Sequence, residues 1–132
     1  MTDTRTPLTR FERLLAAYVA STIEDAPGLS AELEQRLRAI GAPGWLLDNV
    51  RVAAGRWSVC DDDRTGTIVD YAAQLTRRPG TIGAADVDRL RAVGLSEAGI
   101  VELNRAVASQ SYLDRMVHGL GLHEHASFSA RR

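Results

Sequence analysis

Residues 95–122, LSEAGIVELNRAVASQSYLDRMVHGLGL, decide the fold. The Ser96 hydroxyl suits a helix N-cap, and Gly119 and Gly121 suit a helix end. Between them Ile100, Leu103, Val107, Leu113, Met116, Val117 and Leu120 recur mostly at steps of three and four, the period of a helix with one buried face. The middle breaks that pattern. Asn104, Arg105, Ser109, Gln110 and Ser111 stand where a core helix would carry Leu or Val. A long helix that is apolar at both ends and polar between them borders a wet cavity or contacts a partner.

Five shorter helices precede it. Thr9 and Glu12 have capping-box spacing, and the first helix carries Phe11, Leu14, Leu15, Tyr18 and Val19. Glu24-Asp25-Ala26-Pro27-Gly28 breaks it. Ser30 is read as the cap of a second helix with Leu33, Leu37 and Ile40 inward, ended by Gly41. Pro43 opens a third, through Trp45, Leu46, Val50 and Val52. A loop from Gly55 leads to Asp63, the expected cap of a fourth helix with Ile68, Val69, Tyr71, Ala72 and Leu75. Arg77-Arg78-Pro79-Gly80 closes that one. A fifth helix fills Gly83 to Val93 and stops at Gly94. Residues 1–7 read as a loose arm and residues 123–132 as a frayed tail. No stretch alternates with a period of two, so the expectation is one all-α domain of about six helices. RLRAIG at Arg36–Gly41 recurs as RLRAVG at Arg89–Gly94, each ahead of a new helix start.

Composition narrows the functional classes. A chain of 132 residues, 45% hydrophobic and 25% charged, can bury a real core. A net charge of −1 gives no electrostatic footprint for nucleic acid or an anionic membrane surface. No apolar run approaches the ~20 residues that span a bilayer. The N-terminal sequence has no hydrophobic signal core, so a cytoplasmic protein is expected. All 16 basic residues are Arg, which removes Schiff-base lysines, phosphate-loop lysines and lysine general bases. The single cysteine, Cys60, permits neither a disulfide nor a two-cysteine redox cycle within the chain.

Four groups carry candidate chemistry. Glu24, Asp25 and Glu32 form an acid–base set if they close on one another, because like-charge repulsion raises one carboxyl; the alternative is a solvated turn. Asn104, Ser111, Arg115 and His118 fall on one helical stripe. There Arg115 could clamp a carboxylate, Asn104 and Ser111 orient it, and His118 exchange protons. The alternative for this stripe is a polar packing network. His118, His123 and His125 crowd with Glu124, but two intervening glycines argue against a preformed metal site. Cys60 stands beside Asp61, Asp62 and Asp63, which disfavour a thiolate. Trp45 and Trp57 read as core or interface anchors. No metal or other cofactor is expected.

Asp70-Tyr71-Ala72-Ala73-Gln74-Leu75-Thr76-Arg77-Arg78-Pro79, Ala85-Asp86-Val87, Leu90-Arg91-Ala92-Val93-Gly94-Leu95-Ser96, Asp114-Arg115-Met116 and Gly119-Leu120-Gly121 resemble the C-terminal half of the carboxymuconolactone decarboxylase and AhpD-like alkylhydroperoxidase superfamily. The peroxidase-related branch is the nearest. Leu14–Ala20 looks like the first site helix of that family. The resemblance implies an AhpD-like all-α fold assembling into dimers, trimers or hexamers. It also implies a Cys-x-x-Cys motif, a histidine shortly after it and a glutamate on the preceding helix. Here the equivalent stretch is Asp25-Ala26-Pro27-Gly28, Glu32 stands at the histidine position, and the glutamate falls on Arg13 or Glu12. Thiol peroxidase chemistry needs an attacking thiolate and a resolving thiol, and this stretch has neither.

The expected function is therefore acid–base chemistry on a small carboxylic acid or lactone: decarboxylation, isomerisation or cyclisation. Asp25, Glu32 and His118 are the expected catalytic residues, and Glu24, Asn104, Ser111 and Arg115 the expected substrate-binding residues. Two alternatives stand beside it. One is a non-catalytic binding or assembly protein on the same fold. The other is a residual redox protein using Cys60 with an external thiol.

Overall fold

The computed structural model describes residues 4–53 and 63–121. Among these the chain forms six α-helices and no strand: α1 (Arg10–Ile23), α2 (Pro27–Ala39), α3 (Gly44–Ala53), α4 (Asp63–Arg77), α5 (Ala84–Ala92) and α6 (Glu97–Leu120), with a 3-10 turn at Pro79–Thr81. Cys60, Asp61, Asp62, Trp57, His123, Glu124 and His125 lie outside the described residues.

α1 is the central element, packed against α2, α4 and α6. Leu15, Ala16, Tyr18, Val19 and Ala20 are buried around most of its circumference, which requires neighbours on several sides. Its N-terminus is closed by the expected capping box. The Glu12 amide donates to Thr9 Oγ1 at 3.1 Å, and the Thr9 amide donates to Glu12 Oε1 at 2.9 Å. Glu12 also holds the molecule together from the side. Arg64 on α4 donates to both of its carboxylate oxygens, at 2.7 and 3.0 Å. The same guanidinium reaches Thr6 Oγ1 and the carbonyls of Pro7 and Gly94. One arginine thus ties the arm, α1, α4 and the α5–α6 corner. The arm is docked at its far end: the Thr6 amide donates to the Gly94 carbonyl and the Ser96 amide to the Thr6 carbonyl, both at 2.8 Å, and Leu8 is buried.

The two RLRA(I/V)G segments end their helices identically. Ala42 and Leu95 donate to the carbonyls of Leu37 and Leu90, at 3.0 and 3.1 Å. Gly41 and Gly94 donate to Arg38 and Arg91. Their φ angles are +92° and +94°, a conformation only glycine adopts without strain. Leu37 and Leu90, the leucine of each segment, are fully buried, whereas Ile40, expected to face inward, is exposed.

One boundary and one buried face differ from the sequence expectation. α2 begins at Pro27, not after Ser30, because Asp25 takes a positive φ of 54° and turns the chain at once. Pro27 then fills the first helical position, where no amide donor is needed. Ser30 lies inside the helix and donates to the Pro27 carbonyl. The second difference concerns α6. Ser96 caps it by accepting from the Gly99 amide, and Gly121 ends it with φ +69°. However, only Ile100, Leu103 and Val107 of the expected apolar face are buried, while Leu113, Met116 and Leu120 are exposed. The buried stripe continues instead through Gln110 and Asp114, which keep the three–four step. Trp45, 53% exposed, is not a core residue; Leu46, Leu47 and Val50 face inward from α3.

Candidate functional site

The carboxyl of Asp114 is wholly buried where the inner face of α6 meets the end of α1. Gln110, one turn earlier, donates to its Oδ1 at 2.9 Å, and Ser21 of α1 donates to the same oxygen at 3.1 Å. Ser21 reaches the Ala26 carbonyl as well, at 3.4 Å, which fastens the α1–α2 turn to this point. Glu24, the residue that ends α1, is a neighbouring charge that acts on Asp114. Its Oε2 is 3.4 Å from Arg115 Nε, and its backbone carbonyl accepts from His118 Nε2 at 2.9 Å. Ser21, Glu24, Gln110, Asp114, Arg115 and His118 therefore form one polar cluster between the end of α1 and the second half of α6.

Burial pushes the Asp114 carboxyl above the usual carboxylate range. The Gln110 and Ser21 bonds oppose this, and the neighbouring Glu24 charge adds to it. A carboxyl raised in this way holds its proton more tightly than a solvated one, which is the direction general-acid work requires.

Two grooves flank the cluster. One, of ≈ 410 Å³, runs between α4 and α6 and is lined by Leu75, Pro79, Asn104, Val107, Ser111 and Arg115, among others. It is mainly apolar, with a guanidinium at its end, and so suits a small organic anion. The other, of ≈ 390 Å³, lies at the α1–α2 turn, where Tyr18, Ser21, Thr22, Asp25, Glu34 and Arg51 contribute.

The residues singled out from sequence are distributed unevenly over this geometry. Asn104, Ser111 and Arg115 share the α4–α6 groove. Asn104 is held there, accepting from the Tyr71 hydroxyl at 2.9 Å and donating to the Ile100 carbonyl. Glu24 and His118 join Arg115 in the polar cluster. Asp25 is exposed and faces the other groove. Glu32 stands apart on the outer side of α2, exposed and paired with Arg36 at 2.6 Å. Of the two positions read for the family glutamate, Glu12 is buried against Arg64, and Arg13 is exposed with Glu102 at 3.5 Å. From sequence, Gln110 stands out only in the polar middle of the last helix and Asp114 only in the family resemblance, and neither they nor Ser21 receive a site role. The available signal was that 100, 103, 107, 110 and 114 continue a single helical step, so a carboxylate and an amide lie on the buried stripe. Among the described residues no three His, Cys, Asp or Glu side chains gather as a metal site.

No protein-family model and no curated protein matches the sequence. The fold is similar to that of an uncharacterized peroxidase-related protein from Silicibacter sp. TM1040, with a TM-score of 0.75 and 21% identical residues, over 86% of this chain and 59% of that one. This chain thus spans 59% of the length of that structure. The likeness establishes that the two proteins share an all-helical fold. No helix among the described residues is long and apolar enough to cross a membrane.

Proposed function

We propose that this protein carries out acid–base chemistry on a small carboxylic acid or lactone bound in the α4–α6 groove. The observation that carries the reading is the buried Asp114 carboxyl beside the Glu24–Arg115 pair, which reaches that groove through Arg115. Arg115 holds the substrate carboxylate or the developing enolate, and Ser111 orients it. Glu24, whose side chain is 14% exposed where Asp114 is closed off, passes the proton. In isomerisation a C–H proton leaves the carbon next to the carbonyl and returns at another position. In decarboxylation the C–C electron pair stays on the substrate carbon, carbon dioxide leaves, and the proton goes to that carbon. Both reactions are redox-neutral, which agrees with a chain holding one cysteine.

Incubating the protein in D₂O with a panel of small carboxylic acids and lactones, followed by proton NMR, tests this. Turnover or deuterium uptake beside the carbonyl is expected. It should fall about 10²-fold or more in Asp114→Asn, the usual contribution of one general acid. Activity equal in the wild type, Asp114→Asn and Arg115→Gln, or none with any compound, would contradict the reading.

The second half of α6 favours a second reading, assembly. Leu113, Met116 and Leu120 follow three–four steps, Tyr112 flanks them, and all four are exposed apolar side chains. Such a face suits contact with another copy of the chain, and a homo-oligomer through it is part of the proposal. Sedimentation velocity should give more than the 14.3 kDa monomer mass, reverting to monomer in Leu113→Asp; a monomeric wild type would remove this part.

A further inference from the structure

The two acids of the polar cluster divide their oxygens in a particular way. Both neutral donors that reach Asp114, Gln110 and Ser21, go to Oδ1. Oδ2 is buried with no hydrogen-bond partner. Arg115 lies against Oε2 of Glu24, and Oε1 of Glu24 is likewise buried without a partner. Contacts run both ways across this junction: Ser21, three residues before Glu24, bonds Asp114, while Arg115 and His118, beside and one turn after Asp114, hold Glu24. Each therefore brings one bare, buried oxygen to this junction of α1 and α6, and no hydrogen-bond donor reaches either.

Two ionised carboxylates placed this way would repel each other without water to screen them, and each would leave a buried acceptor unsatisfied. A single proton removes both penalties. It makes one group a donor to the other, and it leaves one negative charge for the one guanidinium at the site. We propose that Glu24 and Asp114 hold one proton between Asp114 Oδ2 and Glu24 Oε1, so that Asp114, Glu24 and Arg115 form a neutral, proton-loaded acid site at neutral pH.

The surrounding charges are consistent with one proton rather than a metal ion. From α1 the pair meets Ser21 and Glu24 itself, and Asp25 in the following turn is exposed to solvent. From α6 it meets Gln110, the Arg115 guanidinium and His118, whose Nε2 is committed to the Glu24 carbonyl. A guanidinium next to two carboxyl groups opposes a bound cation and supports a monoanionic pair. The inference does not depend on the enzymatic reading, since a proton-sharing pair could equally serve as a structural lock.

Carbon-13 NMR of the side-chain carboxyls, titrated from pH 3 to 9 in wild type, Asp114→Asn and Glu24→Gln, tests it. In the wild type one carboxyl should remain protonated at pH 7, after the bulk of the acids have ionised. Either amide variant supplies an N–H donor to the remaining carboxylate, so the late titration should vanish in Asp114→Asn and move towards the bulk in Glu24→Gln, where burial alone still raises Asp114. Two carboxyls ionised at pH 7 in the wild type would overturn the proposal. So would a late titration unmoved in Glu24→Gln, or wild-type carboxyl signals that shift on adding calcium ion. The wild-type titration decides the question even if a variant fails to fold.

Discussion

Two buried acids in this chain have opposite histories. Glu12 is desolvated, which alone would raise its titration, but the Arg64 pair and the Thr9 amide outweigh this and hold it below the usual carboxylate range. A folded-state value below the unfolded one adds stability above the unfolded titration, and this is lost as pH falls through the folded one. Glu12→Gln should therefore cost about 2–3 kcal/mol at pH 7, by leaving Arg64 half-buried without its counter-charge, and less at pH 3. Asp114 has the reverse sign. Its raised titration contributes stability that is fully present below the unfolded carboxylate range and is lost as pH rises through the folded value. Asp114→Asn should thus lose its deficit relative to wild type as pH rises from 4 to 8, with a slope of at most about 1.4 kcal/mol per pH unit, the limit for one proton. Urea unfolding at a series of pH values checks both. Glu12 was legible in the sequence through its three-residue spacing from Thr9, but Arg64 was not, because nothing local says which cation meets a helix from another part of the chain.

Local signals sufficed for most elements. Ser96, Gly94, Gly41, Pro43 and the Arg77–Gly80 break placed helix ends because caps and stops act over a few residues. The repeated RLRA(I/V)G gave the same stop twice, with one consequence for mutation. A Cβ added at Gly41 would meet nothing within 4 Å and one at Gly94 only a guanidinium nitrogen at 3.6 Å, so Gly→Ala at either should cost only the left-handed backbone penalty, about 1–2 kcal/mol. Gly99 differs, since its Cβ would stand 2.6 Å from Leu95 Cδ1 and 3.0 Å from the Leu8 amide where the arm crosses α6. Gly99→Ala should cost about 1–3 kcal/mol through crowding and loosen the arm, measurable as earlier amide exchange at Thr6 and Leu8. The inner face of α6 was the misleading signal. Periodicity scored Leu113, Met116 and Leu120 as its continuation, yet the α1 end they would have met carries Ser21 and Glu24, and the polar stripe of Gln110 and Asp114 turns there instead. Periodicity identifies a face; which of two competing faces is buried depends on the neighbour.

The whole molecule places a shared carboxyl pair and an arginine-ended groove on the fold of a peroxidase-related protein. The candidate site was half legible: Glu24, Arg115 and His118 were found in sequence as separate groups, and their convergence is a product of α1 and α6 lying side by side. Glu32 suited the family position but points along α2 to Arg36, because an i to i+4 pair on an exposed helix face satisfies it locally. The chemistry proposed for the chain at this scale is proton transfer and not thiol redox. The most direct test is organic hydroperoxide consumption by wild type and Cys60→Ser, with a dithiol as reductant. The account predicts the same background rate for both proteins. Peroxide reduction that depends on Cys60 would contradict it.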